Sequence, residues 1–186
     1  MTEVAGERMR LYEGAELEAM IGRMARQALS ALDGDTPPLI VGVLRRGAPL
    51  ADRLLAAMQA RQPGYRADRL DLKVKRYSDD LKLLHADTHL EHPGTAADLV
   101  RGREVLVVDD VLYQGHSLFR VFEFLRAEGA ASVRAAVLAD RCVVRMPVKA
   151  DVVGAYLQIA AGDVVECSVP PYEPEFAIDL LRPARG

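Results

Sequence analysis

Two adjacent carboxylates, Asp109 and Asp110, stand at the end of the apolar run Val105-Leu106-Val107-Val108. They are followed by Val111, Leu112, Tyr113, Gln114, Gly115, His116 and Ser117, and then by a segment with helical spacing. Each part has a chemical use. Paired carboxylates bind hydroxyl groups and hard cations, and they favour positive charge that develops beside them. A glycine-containing loop that opens a helix turns backbone N–H groups toward an anion. A solvated turn would explain the acids but not the glycine and serine after them. A ligand carrying both hydroxyls and phosphate, such as a phosphorylated ribose, suits both halves.

A second loop of the same kind is Leu44-Arg45-Arg46-Gly47. It too follows a short apolar run, Leu39 to Val43, and precedes a helical pattern. Its two arginines supply the planar, bidentate donors that phosphate oxygens accept. A basic surface loop would account for the arginines alone. The repeated strand–loop–helix device favours a second anion site.

The elements that must position these loops are legible as an alternation of helix and strand. Leu17, Met20, Ile21, Met24, Ala28 and Leu32 recur at helical spacing, and Asp33-Gly34-Asp35 with Pro37-Pro38 stops that helix. Pro49 to Met58 is again helical, and Gln62-Pro63-Gly64 is a turn. Leu70, Leu72 and Val74 alternate with Asp71, Lys73 and Lys75, a strand with one wet face. Val105 to Asp109 is the next strand, and Ser117 is positioned to cap a helix that reaches about Glu128. Val133 to Leu138 is another buried strand, followed by Asp140-Arg141. Val152-Val153, Val164-Val165 and Phe176 to Leu180 form short strands among Pro and Gly. The order predicts one α/β domain over residues 1–186, a mainly parallel sheet with helices on both faces. Residues 1–38 carry the N-terminal helix, 76–103 a flexible lid loop, and 140–181 a small hood with the last strands.

Arg76-Tyr77-Ser78-Asp79-Asp80 opens the long polar stretch that runs to Arg103. Its length and its place after a strand of the same sheet fit a lid that closes over a ligand. His85 and His89 are four apart with His92 beyond, but no helical stripe or Cys/Glu partner accompanies them, so a zinc site is not expected. Cys142 and Cys167 read as buried apolar side chains, too few for a disulfide framework. Phe119, Phe122 and Phe124 read as core and subunit contacts, in a homodimer or higher homo-oligomer.

With 50% apolar and 27% charged residues, the composition is that of a globular chain able to fill a core. A net charge of −3 excludes a global pull toward nucleic acid, though not a local basic face. Met1 to Glu7 carries acids and lacks an apolar segment, so no signal peptide is expected, and no apolar run approaches a membrane span. A reducing cytoplasm is the expected setting.

Val107-Val108-Asp109-Asp110-Val111-Leu112-Tyr113 with Gly115 and Ser117 resembles the phosphoribosyl pyrophosphate (PRPP) signature of type I phosphoribosyltransferases. Arg46-Gly47 resembles their pyrophosphate loop. Tyr77-Ser78-Asp79-Asp80-Leu81, Asp140-Arg141 and Met146 to Gly154 are similar to the lid and base-side hood of the PyrR family, uracil phosphoribosyltransferases that in some bacteria also regulate the pyrimidine operon. The resemblance spans Leu39 to Leu180 with the spacing between motifs preserved.

It implies the type I phosphoribosyltransferase fold and transfer of ribose 5-phosphate from PRPP to a nucleobase, uracil giving UMP, with release of pyrophosphate. It implies Mg²⁺ carried with PRPP near Asp109 and Asp110. It assigns the ribose to Asp109 and Asp110, the phosphates to Arg45, Arg46, Gly47, Val111, Leu112, Tyr113, Gln114, Gly115, His116 and Ser117, closure to Arg76, Asp79 and Asp80, with Arg76 and Asp79 in the catalytic set, and the base side to Arg141 and Val165.

This chain departs from the family at Gln114 (usually Thr or Ser), at His116 (usually Arg) and at Cys142-Val143-Val144-Arg145 (commonly Gly-His-Arg-Glu). The alternatives are a purine acceptor, hypoxanthine or guanine, or a catalytically weak nucleotide sensor that binds RNA. Arg23 and Arg26 match basic positions of RNA-regulating members, but the lost hood residues weigh against an RNA partner. No membrane partner is expected.

Overall fold

The computed structural model describes residues 6–32, 34, 36–73, 89–90 and 96–184. Strand β1 (Gly6–Glu13) leads into helix α1 (Gly14–Ala31), whose Glu16 side chain accepts the Glu13 N–H at 3.4 Å across its first turn. Of the expected stripe, α1 buries Leu17, Met20, Ile21, Met24 and Ala28, with Ala25 beside them, and Leu32 is buried at the C-cap. Next come β2 (Leu39–Val43), α2 (Gly47–Arg61) and β3 (Asp68–Lys73). The short β4 (His89–Leu90) and α3 (Ala96–Val100) fall within the long polar stretch. They are followed by β5 (Glu104–Leu112), α4 (His116–Ala127), β6 (Ser132–Asp140), β7 (Val152–Tyr156), β8 (Val164–Ser168) and β9 (Ala177–Pro183).

The main sheet has the order β4-β3-β2-β5-β6-β7. Its pairs β2–β3, β2–β5, β5–β6 and β6–β7 are parallel, and only β4 runs antiparallel. All five residues of β2 are buried, as a central parallel strand requires. Side chains of alternate strand residues enter two cores. Ile40, Leu106 and Val108 join α1 and α2 on one face, whereas Leu39, Val41, Val105 and Val107 join Leu118, Val121 and Leu125 of α4 on the other. The result is the expected α/β architecture, a mainly parallel sheet with helices on both faces.

A separate antiparallel sheet has the order β1-β9-β8. Its β1 is absent from the sequence-based expectation, which began at the first helix. Arg8 and Arg10 of β1 donate to the buried Asp179 of β9 at 2.9 and 2.6 Å. The hood therefore takes one strand from the N-terminus. Val165, Cys167 and Ile178 of β8 and β9 bury against the α1–α2 side of the main core.

The chain goes from β2 outward to β3, then returns to place β5 on the other side of β2. The switch point of the sheet thus lies between β2 and β5, and ligands of open α/β sheets bind outside the carboxyl ends of the strands there.

Candidate active site

The loops that follow β2 and β5 meet at that switch point. Gly47 begins α2, and a Cβ on it would collide with the carbonyl oxygen of Val108 and lie 3.2 Å from the Asp109 Cα. Only glycine lets the first loop press this closely on β5. The contact brings Arg46, the N-cap residue of α2, to the carboxylates: its Nη1 stands 3.6 Å from Asp110 Oδ2. The Leu44–Arg45 peptide is cis.

Asp109 and Asp110 lie within the end of β5 rather than beyond it. Asp109 Oδ1 accepts the Asp110 N–H at 2.9 Å, and Asp110 Oδ1 accepts the Val111 N–H at 3.0 Å. Asp110 is more buried than a solvated strand end, 7% exposed, while Asp109 is half-buried. Val111 and Leu112 are strand residues. Leu112 packs in one core and Val111 against the other, and the Val111 N–H is already taken by Asp110 Oδ1, so neither side chain is available to phosphate.

The N-cap of α4 is Gly115 at φ +87°, not Ser117, which sits inside the first turn. The left-handed turn needs glycine, and space demands it as well. A Cβ there would meet Val148 Cγ2 at 2.8 Å and Val144 Cγ1 at 3.1 Å. The hood segment thus lies directly on the loop, and the N–H groups of Arg145 and Met146 donate to the Gln114 carbonyl at 3.0 and 3.4 Å. Tyr113 and His116 are exposed and Gln114 and Ser117 half-buried around the helix N-terminus, whose first-turn N–H groups and dipole attract an anion. The N-terminus of α2 faces the same crevice from the neighbouring strand.

Arg141 is buried, 5% exposed, with its guanidinium 4.8 Å from the Tyr113 ring centroid and Nη2 donating to the Ala160 carbonyl at 3.4 Å. Its Nε has no hydrogen-bond partner among the described residues, so this buried cation keeps an unused donor. Val165 is 8% exposed and belongs to the core, so its side chain turns away from the crevice, whereas Val164 beside it is exposed.

Two residues that the sequence did not flag complete the site. Glu173, in the turn between β8 and β9, accepts Arg46 Nε and Nη2 on its Oε1 at 3.1 and 2.8 Å. Tyr172 places its ring 4.8 Å from the Arg45 guanidinium. Burial alone would raise the Glu173 carboxyl. The Arg46 and Val169 hydrogen bonds and the charges of Arg46 and Arg45 outweigh it and hold the group below its ordinary value. The bond to Glu173 in turn raises Arg46 further, so it stays a cation.

Cys167 is buried as expected, and burial first, then the nearby Asp110 charge, pushes its thiol well above the ordinary value. Cys142 is exposed, contrary to expectation. It sits at φ +57° just after β6, its N–H donating to Asp140 Oδ1 at 2.7 Å, and this turn carries its side chain outward. Arg76, Asp79, Asp80, His85 and His92 lie outside the described residues, as do residues 76–88 and 91–95 of the expected lid, whose remainder carries β4 and α3. No group of three or more His, Cys, Asp or Glu able to hold a metal occurs among the described residues. The adjacent carboxylates of Asp109 and Asp110 are a hard-oxygen pair, which fits Mg²⁺ completed by the oxygens of a phosphorylated substrate rather than a resident ion. No described helix is long and apolar enough to cross a membrane.

The phosphoribosyl transferase domain model matches residues 8–173. The chain is 29% identical to the bifunctional protein PyrR of Corynebacterium diphtheriae, over 98% of this chain and 97% of that protein. It is 30% identical to the proteins of that name from Elusimicrobium minutum, over 92% of this chain and 95% of the relative, and from Deinococcus radiodurans, over 90% and 91%. Among solved structures, a hypoxanthine phosphoribosyl transferase of Trypanosoma cruzi superimposes with a TM-score of 0.75 at 20% identity, over 98% of this chain and 95% of that one. At that identity the likeness speaks for the fold.

Proposed function

The chain belongs to the phosphoribosyl transferase domain family, and within it to the PyrR group, and we propose that it transfers ribose 5-phosphate from PRPP to uracil, giving UMP and pyrophosphate. The observation that carries this is the meeting of two anion loops beside a buried carboxylate, with Arg46 3.6 Å from Asp110.

As pyrophosphate leaves, carbon 1 of the ribose gains positive character. Asp109 and Asp110 favour that charge and hold the ribose hydroxyls. Backbone N–H groups of Tyr113 to Ser117 at the start of α4 cradle the 5-phosphate. Arg45, Arg46 and the Gly47 backbone hold the pyrophosphate group, and the fork of Arg46 suits its oxygens. Asp109 and Asp110 would be the protein's oxygen donors to a Mg²⁺ carried with PRPP, which would supply positive charge to stabilise the departing pyrophosphate. The family resemblance gives Arg76, Asp79 and Asp80, which lie outside the described residues, the role of closure over the site to exclude water. Arg141 offers its unused Nε donor on the base side, where the Val164–Val165 backbone forms the neighbouring wall. The half-buried Phe119, Phe122 and Phe124 on α4 leave apolar surface for a homo-oligomer contact.

An RNA partner is not favoured. Arg23 and Arg26 are exposed on α1, on one side of the main sheet, whereas Arg145 lies in the hood segment that covers the α4 side. These three arginines do not form one basic face.

Ligands that bind only the native state raise its melting temperature. PRPP and UMP are expected to do so, the PRPP effect growing with Mg²⁺. No shift with either at millimolar concentration contradicts the proposal.

A further inference from the structure

We propose that Glu173 is a positioning residue for the pyrophosphate loop: it draws Arg46 away from Asp110 and leaves the guanidinium's remaining edge facing the crevice. This rests on the reading of Arg46 as a pyrophosphate ligand and goes beyond it, because Glu173 belongs to no motif and, among the described residues, touches the proposed ligand groups only through Arg46.

The geometry is asymmetric. Arg46 hydrogen-bonds Glu173 Oε1 through Nε and Nη2 at 3.1 and 2.8 Å, but it approaches Asp110 Oδ2 only to 3.6 Å. One guanidinium thus stands between two carboxylates, and the closer bonds go to the one that has no proposed contact with substrate. The five N–H groups of arginine allow this division: Nε and one N–H of Nη2 are spent on Glu173, and the Nη1 side faces Asp110.

Glu173 is itself held. Its Oε2 accepts the Val169 N–H at 2.9 Å, and the Val169 side chain is fully buried in the core. Its neighbour Tyr172 lies against Arg45 at 4.8 Å. Consecutive residues of the β8–β9 turn therefore engage consecutive residues of the loop. Without Glu173, the Coulomb attraction on Arg46 points to Asp110. A collapsed Arg46–Asp110 pair would spend both the cation meant for pyrophosphate and the carboxylate meant for ribose hydroxyls. The side chains of Arg46, Glu173 and Asp110 are 32%, 23% and 9% exposed, so screening is partial and the effect on binding is moderate.

The test compares wild type, Glu173→Gln, Glu173→Ala, Arg46→Ala and the double variant Arg46→Ala/Glu173→Ala, by steady-state kinetics and by calorimetric titration with pyrophosphate and with PRPP. Loss of a charge-assisted hydrogen bond sets the scale, so Glu173→Ala is expected to weaken pyrophosphate and raise the PRPP KM by about tenfold. Glu173→Gln keeps an accepting oxygen and is expected to cost about threefold. The KM for the base stays near wild type, whereas kcat falls with Glu173→Ala to the extent that Arg46 neutralises Asp110. In the Arg46→Ala background, Glu173→Ala has no further effect, because the two residues act as one unit.

If Arg46→Ala weakens both ligands and Glu173→Ala does not, the positioning role is wrong while the pyrophosphate loop stands. The role is equally wrong if Glu173→Ala tightens pyrophosphate or keeps its full effect without Arg46. If Arg46→Ala changes neither ligand, the pyrophosphate-loop reading itself fails.

Discussion

Gly47 lies so close to Val108 that a Cβ on it would strike the Val108 carbonyl oxygen. The loop after β2 and the carboxylates at the end of β5 are therefore one packed unit, and their relative position is set by backbone contact rather than by side-chain reach. Gly47→Ala must push the loop away from β5. Overpacking of this kind costs about 1–3 kcal/mol, and we expect pyrophosphate affinity to fall as well because Arg46 moves with the loop. Denaturant unfolding with a pyrophosphate titration measures both. A variant with wild-type affinity contradicts the packed-unit explanation.

Asp110→Asn is expected to separate activity from stability. The asparagine oxygen can still accept the Val111 N–H, so the local backbone survives. The charge proposed to face the ribose is lost, and lost electrostatic stabilisation of this kind costs about 10²–10³ in rate. Turnover near wild type, under saturating PRPP, contradicts the assignment of Asp110 to the reacting centre.

The depressed Glu173 carboxyl gives a pH signature. Its folded value lies below its unfolded one, so its contribution to stability is fully present above the unfolded value of about 4.3 and is lost as pH falls through the folded value. Melting temperatures of wild type and Glu173→Gln are therefore expected to differ most near neutral pH and to converge in acid. A difference that is constant from neutral pH to well below the carboxylate range contradicts the ion pair.

Much of this was legible before any coordinates. The apolar runs Leu39 to Val43 and Val105 to Val108 could be buried only in the middle of a sheet, and turn residues after each marked the loops. The helix stripe from Leu17 to Ala28 identified its own buried face. Strand β1 was not legible, because Arg8 and Arg10 find their reason in Asp179, 171 and 169 residues away. Glu173 escaped for the same cause: an acid among prolines carries no local sign that it meets Arg46 127 residues earlier. Ser117 suggested the helix cap, but the positive φ of Gly115 moved the start of α4 two residues toward β5. Cys142 looked apolar by type, and only its left-handed turn exposes it.

The division of Arg23 and Arg26 from Arg145 across the sheet bears on RNA. Specific single-stranded recognition needs hydrogen bonds and stacking in addition to charge, and Val143 and Val144 offer neither hydrogen bonds nor an aromatic face. We expect no tight binding to a pyrimidine-operon leader at physiological salt. Nanomolar, UMP-enhanced retention of the native leader and not of a scrambled RNA in a filter assay contradicts this.

The central claim is transfer of ribose 5-phosphate to uracil, and pyrophosphate release tests it most directly. Purified protein is given PRPP and Mg²⁺ with uracil, hypoxanthine or guanine in separate reactions. Release is expected with uracil, matched one for one by UMP, and faster than with either purine. Fastest release with a purine contradicts the choice of base, and no release with any of the three contradicts the enzyme.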